Sequence, residues 1–312
     1  GRVGALPLPV VVVGDLWTID RRYFAFSPPA AETYGDDAIT SHLASEPLPY
    51  RVWDPAGRYA GAGVYHAKSW LMAYRIPTLL GYHGNELHRF DELLGGKNDW
   101  PGQLSPNIWD LYAVQYLLVA EPQALEGFTQ ILGPVQVRTG ERGYLYRADS
   151  TRQWVRVVPA AAKLPEAQIA PTVVDARFPV DRVLLLPDSA SVDVPALQGQ
   201  LPEPSAVRAT LAEWAPGRMR VTLEGRDERT TWLLVGENWY TGWRATVDGA
   251  EAQVHSANHA LMAVPLPAGA AEVQLTFESP PYRRGRMITF LAMALTGALL
   301  LAGPLTRRRS GA

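Results

Sequence analysis

Asn238, Trp239 and Tyr240 stand together in the sequence, with Trp243 three residues further on. Aromatic faces stack on the apolar faces of sugar rings, and a neighbouring amide hydrogen-bonds hydroxyls, so Asn238, Trp239 and Tyr240 are candidate substrate-binding residues. Trp243 alternates with Ala245 and Val247, which puts it in a core. For Trp239 and Tyr240 the competing use is packing, between two subdomains or against membrane helices. His83, Glu86 and His88 form a second group. His83 and Glu86 share a helix face at i, i+3, as metal ligands can, but His88 is five residues from His83 and misses the i, i+4 spacing of a zinc-binding pair. Helix capping by His83 and Asn85 fits that group better, and no metal is expected. Asp36 and Asp37 follow Gly35 and read as an exposed turn rather than as facing acid and base. There is no G-x-S-x-G, P-loop or G-x-G-x-x-G pattern, so no catalytic residue is assigned and no cofactor is expected.

The elements that position these residues differ between the two halves of the chain. From about Val207 the pattern is β. Met219, Val221 and Leu223 alternate with polar residues, as do Val273, Leu275 and Phe277. Such period-two patterning predicts strands with one buried face. Thr231–Val235, Trp243–Val247 and Leu261–Leu266 are further strands. Asp248-Gly249, Ala268-Gly269 and Pro216-Gly217 are turn signals, and the spacing predicts an antiparallel β-sandwich. Upstream, Leu87, Phe90 and Leu94 fall at i, i+3 and i+7 and predict a short helix ended by Gly95-Gly96. Another short helix is expected over Ile108–Ala113, and strands over Tyr50–Trp53, Tyr116–Val119 and Tyr144–Arg147. This half reads as a mixed α/β subdomain, and the chain as α+β. Pro159–Pro171 and Pro195–Pro204 are rich in Ala and Pro, the second being the better linker candidate.

Composition sets the outer limits. The chain has 312 residues, 47% hydrophobic and 19% charged, with a formal net charge of −2. That composition is globular, and no basic stripe with interleaved aromatics points to nucleic acid. With no cysteine, disulfides, thiol nucleophiles and cysteine-ligated metals are excluded. Met287–Leu305 is uncharged and close to the roughly 20 residues that a membrane-spanning helix needs, so a C-terminal transmembrane helix is expected. Arginines flank it on both sides, and the positive-inside count is a tie. Val3–Gly14 is uncharged but too short to span, and reads either as the end of a cut membrane helix or as a buried strand. With no signal peptide pattern at Gly1, the chain is expected to begin inside a longer protein.

Several blocks together resemble the C-terminal region of YfhO-like bacterial membrane proteins, which are placed with the GT-C type of polytopic glycosyltransferases. The most telling runs from Glu237 through Asn238-Trp239-Tyr240-Thr241-Gly242-Trp243 to Asp248-Gly249, with Thr241 where the family commonly has Pro. Asn258-His259-Ala260 and Val264–Gly269 continue it, as do Gly81-Tyr82-His83, Arg89-Phe90, Leu93-Leu94 and Tyr116–Val119. Asp15-Leu16-Trp17 and Arg21-Arg22-Tyr23 resemble the exit of that family's last core membrane helix. The resemblance implies a cell-membrane parent with many upstream helices, an extracytoplasmic placement of this region, and a catalytic loop outside it. It also implies a polyprenyl-phosphate sugar as donor and a cell-envelope glycopolymer such as teichoic acid as acceptor. The expected organisation is a truncated membrane segment (1–22), an extracytoplasmic α+β subdomain (23–200), a β-sandwich (201–281) and a transmembrane helix with a basic cytoplasmic tail (282–312). Expected partners are the lipid bilayer, the parent's upstream helices, and the polyprenyl-phosphate sugar and envelope glycan. The expected function is that of an accessory domain of a membrane glycosyltransferase. The alternative is a membrane-anchored glycan-binding or structural module without catalytic activity.

Overall fold

A computed structural model of the chain describes residues 7–309 except 25, 55–63, 66–69, 81–86, 97–104 and 198. Helix α1 (Pro7–Asp20) is followed by α2 (Ala30–Thr33), α3 (Ala38–Ser45), strand β1 (Arg51–Trp53), a 3-10 turn at Trp70–Tyr74, and helices α4 (His88–Leu93) and α5 (Pro106–Leu111). Then come β2 (Val114–Val119), β3 (Phe128–Gln136), β4 (Arg142–Ala148), β5 (Val155–Val158), β6 (Ala160–Leu164), α6 (Glu166–Val174) and β7 (Val183–Pro187). The last third holds β8 (Arg208–Ala215), β9 (Arg218–Glu224), β10 (Thr231–Asn238), β11 (Trp243–Val247), β12 (Ala250–Ala252), β13 (His255–Ala257), β14 (Leu261–Leu266), β15 (Glu272–Phe277) and α7 (Pro280–Arg309).

The strands form four sheets, ordered β1-β2-β4-β3, β13-β14-β10-β5, β12-β11-β15-β9-β8 and β6-β7. Pairing is antiparallel except for β1 with β2 and β6 with β7. The expected architecture, α+β with a C-terminal transmembrane helix, is therefore corrected in two respects. Sheet dominates the chain, and among the described residues no helix is long and apolar enough to cross a membrane. In α7, Arg283, Arg284 and Arg286 occupy the opening turns.

Strand β10 explains much of the packing. Thr231 to Gly236 are all buried, because both faces of this central strand meet apolar layers. Leu233 and Val235 join Met219, Val221, Val273 and Leu275 in the core shared with the five-stranded sheet. Trp232 and Leu234 point the other way, into a core with Phe90, Ile108, Ile169 and Leu184 from the short helices and β7. A third core, Ile39, Leu43, Val52, Tyr116, Leu118 and Leu145, lies between α3 and the first sheet.

Local signals behave as chain stereochemistry requires. Asp248 and Gly249 have φ of 50° and 85°, the positive pair that a two-residue hairpin turn demands, and they join β11 to β12. Gly95 and Gly96, both at positive φ, end α4. Asp37 is not part of an idle turn. Its carboxylate accepts from the Ile39 and Thr40 amides and caps α3. The Ala/Pro-rich stretch at 159–171 holds β6 and most of α6, whereas the described residues of 195–204 carry neither helix nor strand.

Candidate functional site

The candidate residues lie where β10 leaves its sheet. The register with β14 shifts between Val235 and Asn238, so Gly236 and Glu237 bulge out of the ladder. Gly236 is required there, since a Cβ would fall 2.6 Å from the Leu111 carbonyl oxygen. The bulge aims the Gly236 carbonyl and the Glu237 side chain at Arg51 of β1. Arg51 Nη1 donates to the Tyr112 and Gly236 carbonyls at 2.9 and 2.5 Å, and Nη2 lies 3.2 Å from Glu237 Oε2. Its guanidinium sits 3.7 Å from the centre of the Trp154 ring. Burial pulls the Arg51 pKa down and the Glu237 carboxylate opposes that pull, so the pair holds a buried cation in place.

Asn238 and Trp239 serve the same seam. Asn238 Oδ1 accepts the Tyr112 hydroxyl at 2.8 Å. Trp239 donates its backbone N–H to Ala260 O at 2.8 Å and its indole N–H to Val254 O at 3.3 Å. The Arg89 guanidinium lies 5.6 Å from the Trp239 ring centre. Arg89 itself bonds Ser256 Oγ at 2.6 Å and Glu166 Oε1 at 2.5 Å, and Glu92 meets His259 Nε2 at 2.9 Å, so α4 is pinned to β13 and the turn after it. In that turn Asn258 and His259 have φ of 46° and 72°. Asn258 exchanges two 2.8 Å hydrogen bonds with Leu185, through its own N–H and its Oδ1.

Tyr240 differs from its neighbours: it is 51% exposed. Its ring centre is 6.1 Å from that of Phe277, and the Trp243 ring centre lies 5.5 Å from the same ring. Gly242 makes this turn possible, because a Cβ there would lie 2.3 Å from the Glu278 carbonyl oxygen. Trp243 is only half-buried, packing at the margin of the core rather than inside it. It borders an open groove of about 350 Å³ on the outer face of β11, β12 and β15, lined by Arg244, Thr246, Glu251, Gln253, Gln274 and Thr276.

The three candidates are thus contiguous but unequal. Asn238 and Trp239 are the mount, and Tyr240 is the displayed ring. Of the second group, His83 and Glu86 lie outside the described residues, while His88 is exposed and sits 3.1 Å from Glu92 on α4. Arg51 and Tyr112 were not legible as site residues. Arg89 and Asn258-His259 carried a signal only as part of the resemblance.

Residues 204–289 match the family model described as bacterial membrane protein YfhO. This region is YfhO-like. The YfhO-like region holds β8 to β15, the whole Asn238–Trp243 turn, the groove beside it and the opening of α7. Two solved structures of arabinofuranosyltransferase AftD from Mycobacteria also align, at 20% and 17% identity, over 51% and 44% of this chain, with TM-scores of 0.25 and 0.21. The chain spans 9% and 7% of those proteins, and scores of that size assign neither fold nor activity. No curated relative matches.

Proposed function

We propose that this chain is an extracytoplasmic accessory domain of a membrane glycosyltransferase. Its parent moves a sugar from a polyprenyl-phosphate donor to a cell-envelope glycopolymer, and this domain holds the acceptor glycan at Tyr240 and the adjoining groove. The observation that carries the reading is the exposed Tyr240 ring, packed on Phe277 in the turn that leads into Trp243, which itself lines a groove of amides and hydroxyls. Such a ring stacks on a sugar face while Gln253, Gln274 and the threonines meet its hydroxyls. The YfhO-like match supports a membrane-protein context. The apolar side chains that α1 and α7 leave exposed, such as Val10, Trp17, Ile288 and Leu291, support lipid or the parent's upstream helices as partners.

Within the same reading, this chain binds and does not catalyse. The carboxylates around the seam are committed: Glu237 to Arg51, Glu92 to His259 and Glu166 to Arg89. A general base must be able to reach the acceptor hydroxyl, and these face basic partners instead. Both the accessory-domain reading and the alternative, a membrane-anchored glycan-binding or structural module, keep catalysis out of this chain. Titration of the folded chain with envelope glycan fragments, followed by NMR shift mapping, tests both. Shifts at Tyr240 and Trp243, lost in Tyr240→Ala at unchanged melting temperature, are expected. Shifts elsewhere, or none, would defeat the Tyr240 site. Sugar transfer by this chain alone would defeat the non-catalytic reading.

A further inference from the structure

Helix α7 opens with a charge pattern that works against the helix itself. Its first turn holds no acid, and Arg283, Arg284 and Arg286 crowd its opening turns. The N-terminal end of a helix already carries roughly half a positive charge, so cations there are repelled. All three arginines are exposed, and none has an ion-pair partner among the described residues. The acid just before the helix, Glu278, lies 3.8 Å from Arg244 Nε instead. The Arg286 guanidinium is 5.9 Å from the ring centre of Tyr282, itself 68% exposed. At about 3.6 residues per turn the three arginines fan over roughly half the helix circumference, so they address a surface rather than a single ion.

Beyond the arginines the helix is apolar on every side. Met287, Ile288, Phe290, Leu291, Met293 and Leu295 are each at least 60% exposed. A helix that is apolar all round has no face to turn to water. Basic side chains beside a tyrosine, placed where such a segment begins, are the composition that meets lipid headgroups. The base of α7 is also tied to the sandwich. Glu278 donates its N–H to Gly242 O at 2.8 Å, and Phe277, packed on Tyr240, stands shortly before Pro280 at the start of the helix. Three residues of chain span at most about 11 Å, so lipid met at the base of α7 lies beside the Tyr240 turn.

We propose that Arg283, Arg284 and Arg286 dock this chain on an anionic phospholipid surface, holding headgroup phosphates while the apolar side chains that follow meet the acyl boundary. The contact rests on the reading of lipid as a partner, and it needs headgroups rather than a membrane span. The test is flotation of the full chain with two kinds of vesicle: phosphatidylcholine alone, and phosphatidylcholine mixed equally with phosphatidylglycerol. At low salt the anionic vesicles should bind about a hundredfold more tightly, from about fivefold for each arginine at the surface. High salt should narrow that gap. Changing all three residues together, Arg283→Gln, Arg284→Gln and Arg286→Gln, should abolish the preference at unchanged helix content. The same three positions changed to Lys should keep most of it, because the charge remains. Arg226→Gln, in the loop between β9 and β10, should leave it intact. Equal binding to both vesicles would overturn the headgroup contact and leave lipid as a partner. So would an anionic preference that survives in the triple Gln variant. No binding to either vesicle by the folded chain would overturn both.

Discussion

The Tyr112 hydroxyl donates to Asn238 Oδ1 at 2.8 Å, joining the end of α5 to the end of β10 across 126 positions of sequence. Burial raises the Tyr112 pKa, so the phenol remains a donor at every ordinary pH. The bond occupies the amide oxygen that a ligand would otherwise use and makes Asn238 part of the seam. Tyr112→Phe should therefore destabilise the chain by about 1–3 kcal/mol, the cost of leaving a half-buried acceptor unpaired. Chemical denaturation checks this, and an unchanged midpoint would deny the bond any structural weight.

Trp154 and Trp243 should separate in a stability assay. Trp154 is 4% exposed, carries the Arg51 guanidinium on its face and meets the Trp214 ring at 5.9 Å. Trp154→Ala should cost about 3–5 kcal/mol. Trp243, half-buried at the groove, should cost roughly half as much or less on the same substitution. Thermal melts of the two variants measure the ordering, which a fully buried Trp243 would reverse or erase.

Gly242→Ala should unseat the Tyr240 turn. The added methyl would meet the Glu278 carbonyl oxygen at 2.3 Å, a backbone atom with little room to yield. A loss of about 1–3 kcal/mol is expected, with a change in Tyr240 and Phe277 ring signals by NMR. Gly249→Ala is the useful comparison. It meets open space and bears only the strain of its positive φ of 85°. Its effect should stay local to the hairpin.

Stability should fall with acidification in a way that His255 controls. The ring is 6% exposed and packs edge-on to Trp232. Burial first, and the nearby Lys163 cation second, lower its pKa below the ordinary 6.5. The unfolded chain thus takes up a proton near pH 6.5 that the folded chain refuses. The stabilisation from the neutral ring is complete above about pH 6.5 and is lost as pH falls through that value toward the folded-state pKa. His255→Phe keeps the packing and removes the titration. Between about pH 7.5 and about pH 5.5 it should lose less of its melting temperature than the unaltered chain.

The parts of the fold that were legible are those whose cause is local. Alternation at Met219–Leu223 and Val273–Leu275, the Asp248-Gly249 turn and the Gly95-Gly96 stop each follow from a few neighbouring residues, and each is present. Strand β6 was hidden because Ala160, Ala161 and Ala162 show no alternation, and the strand exists through its parallel partner β7. Trp243 was expected in the core from its parity with Ala245 and Val247, but the parity holds only for direction. At the strand end the layer beneath it runs out. In the site, Arg51 read as an ordinary charge in a strand. Its partner Glu237 is 186 residues away, and no short pattern encodes such a pairing. The helix expected to span a membrane was placed on the uncharged Met287–Leu305 stretch, whereas α7 begins at Pro280 and carries Arg283, Arg284 and Arg286 in its opening turns.

Strand β5 closes the sheet of β10 and β14 from outside the segment that matches the YfhO family. Val155–Val158 pairs with Trp232–Val235, yet the matched region begins at residue 204. A gene cut at that boundary would release a fragment whose most apolar strand presents a bare row of amides and carbonyls. Open edges of that kind recruit any strand that passes, including another copy's β10. The boundary at which the family likeness begins and the boundary at which the chain can be divided are therefore different places, and the smallest fragment fit for study on its own must reach back past Trp154.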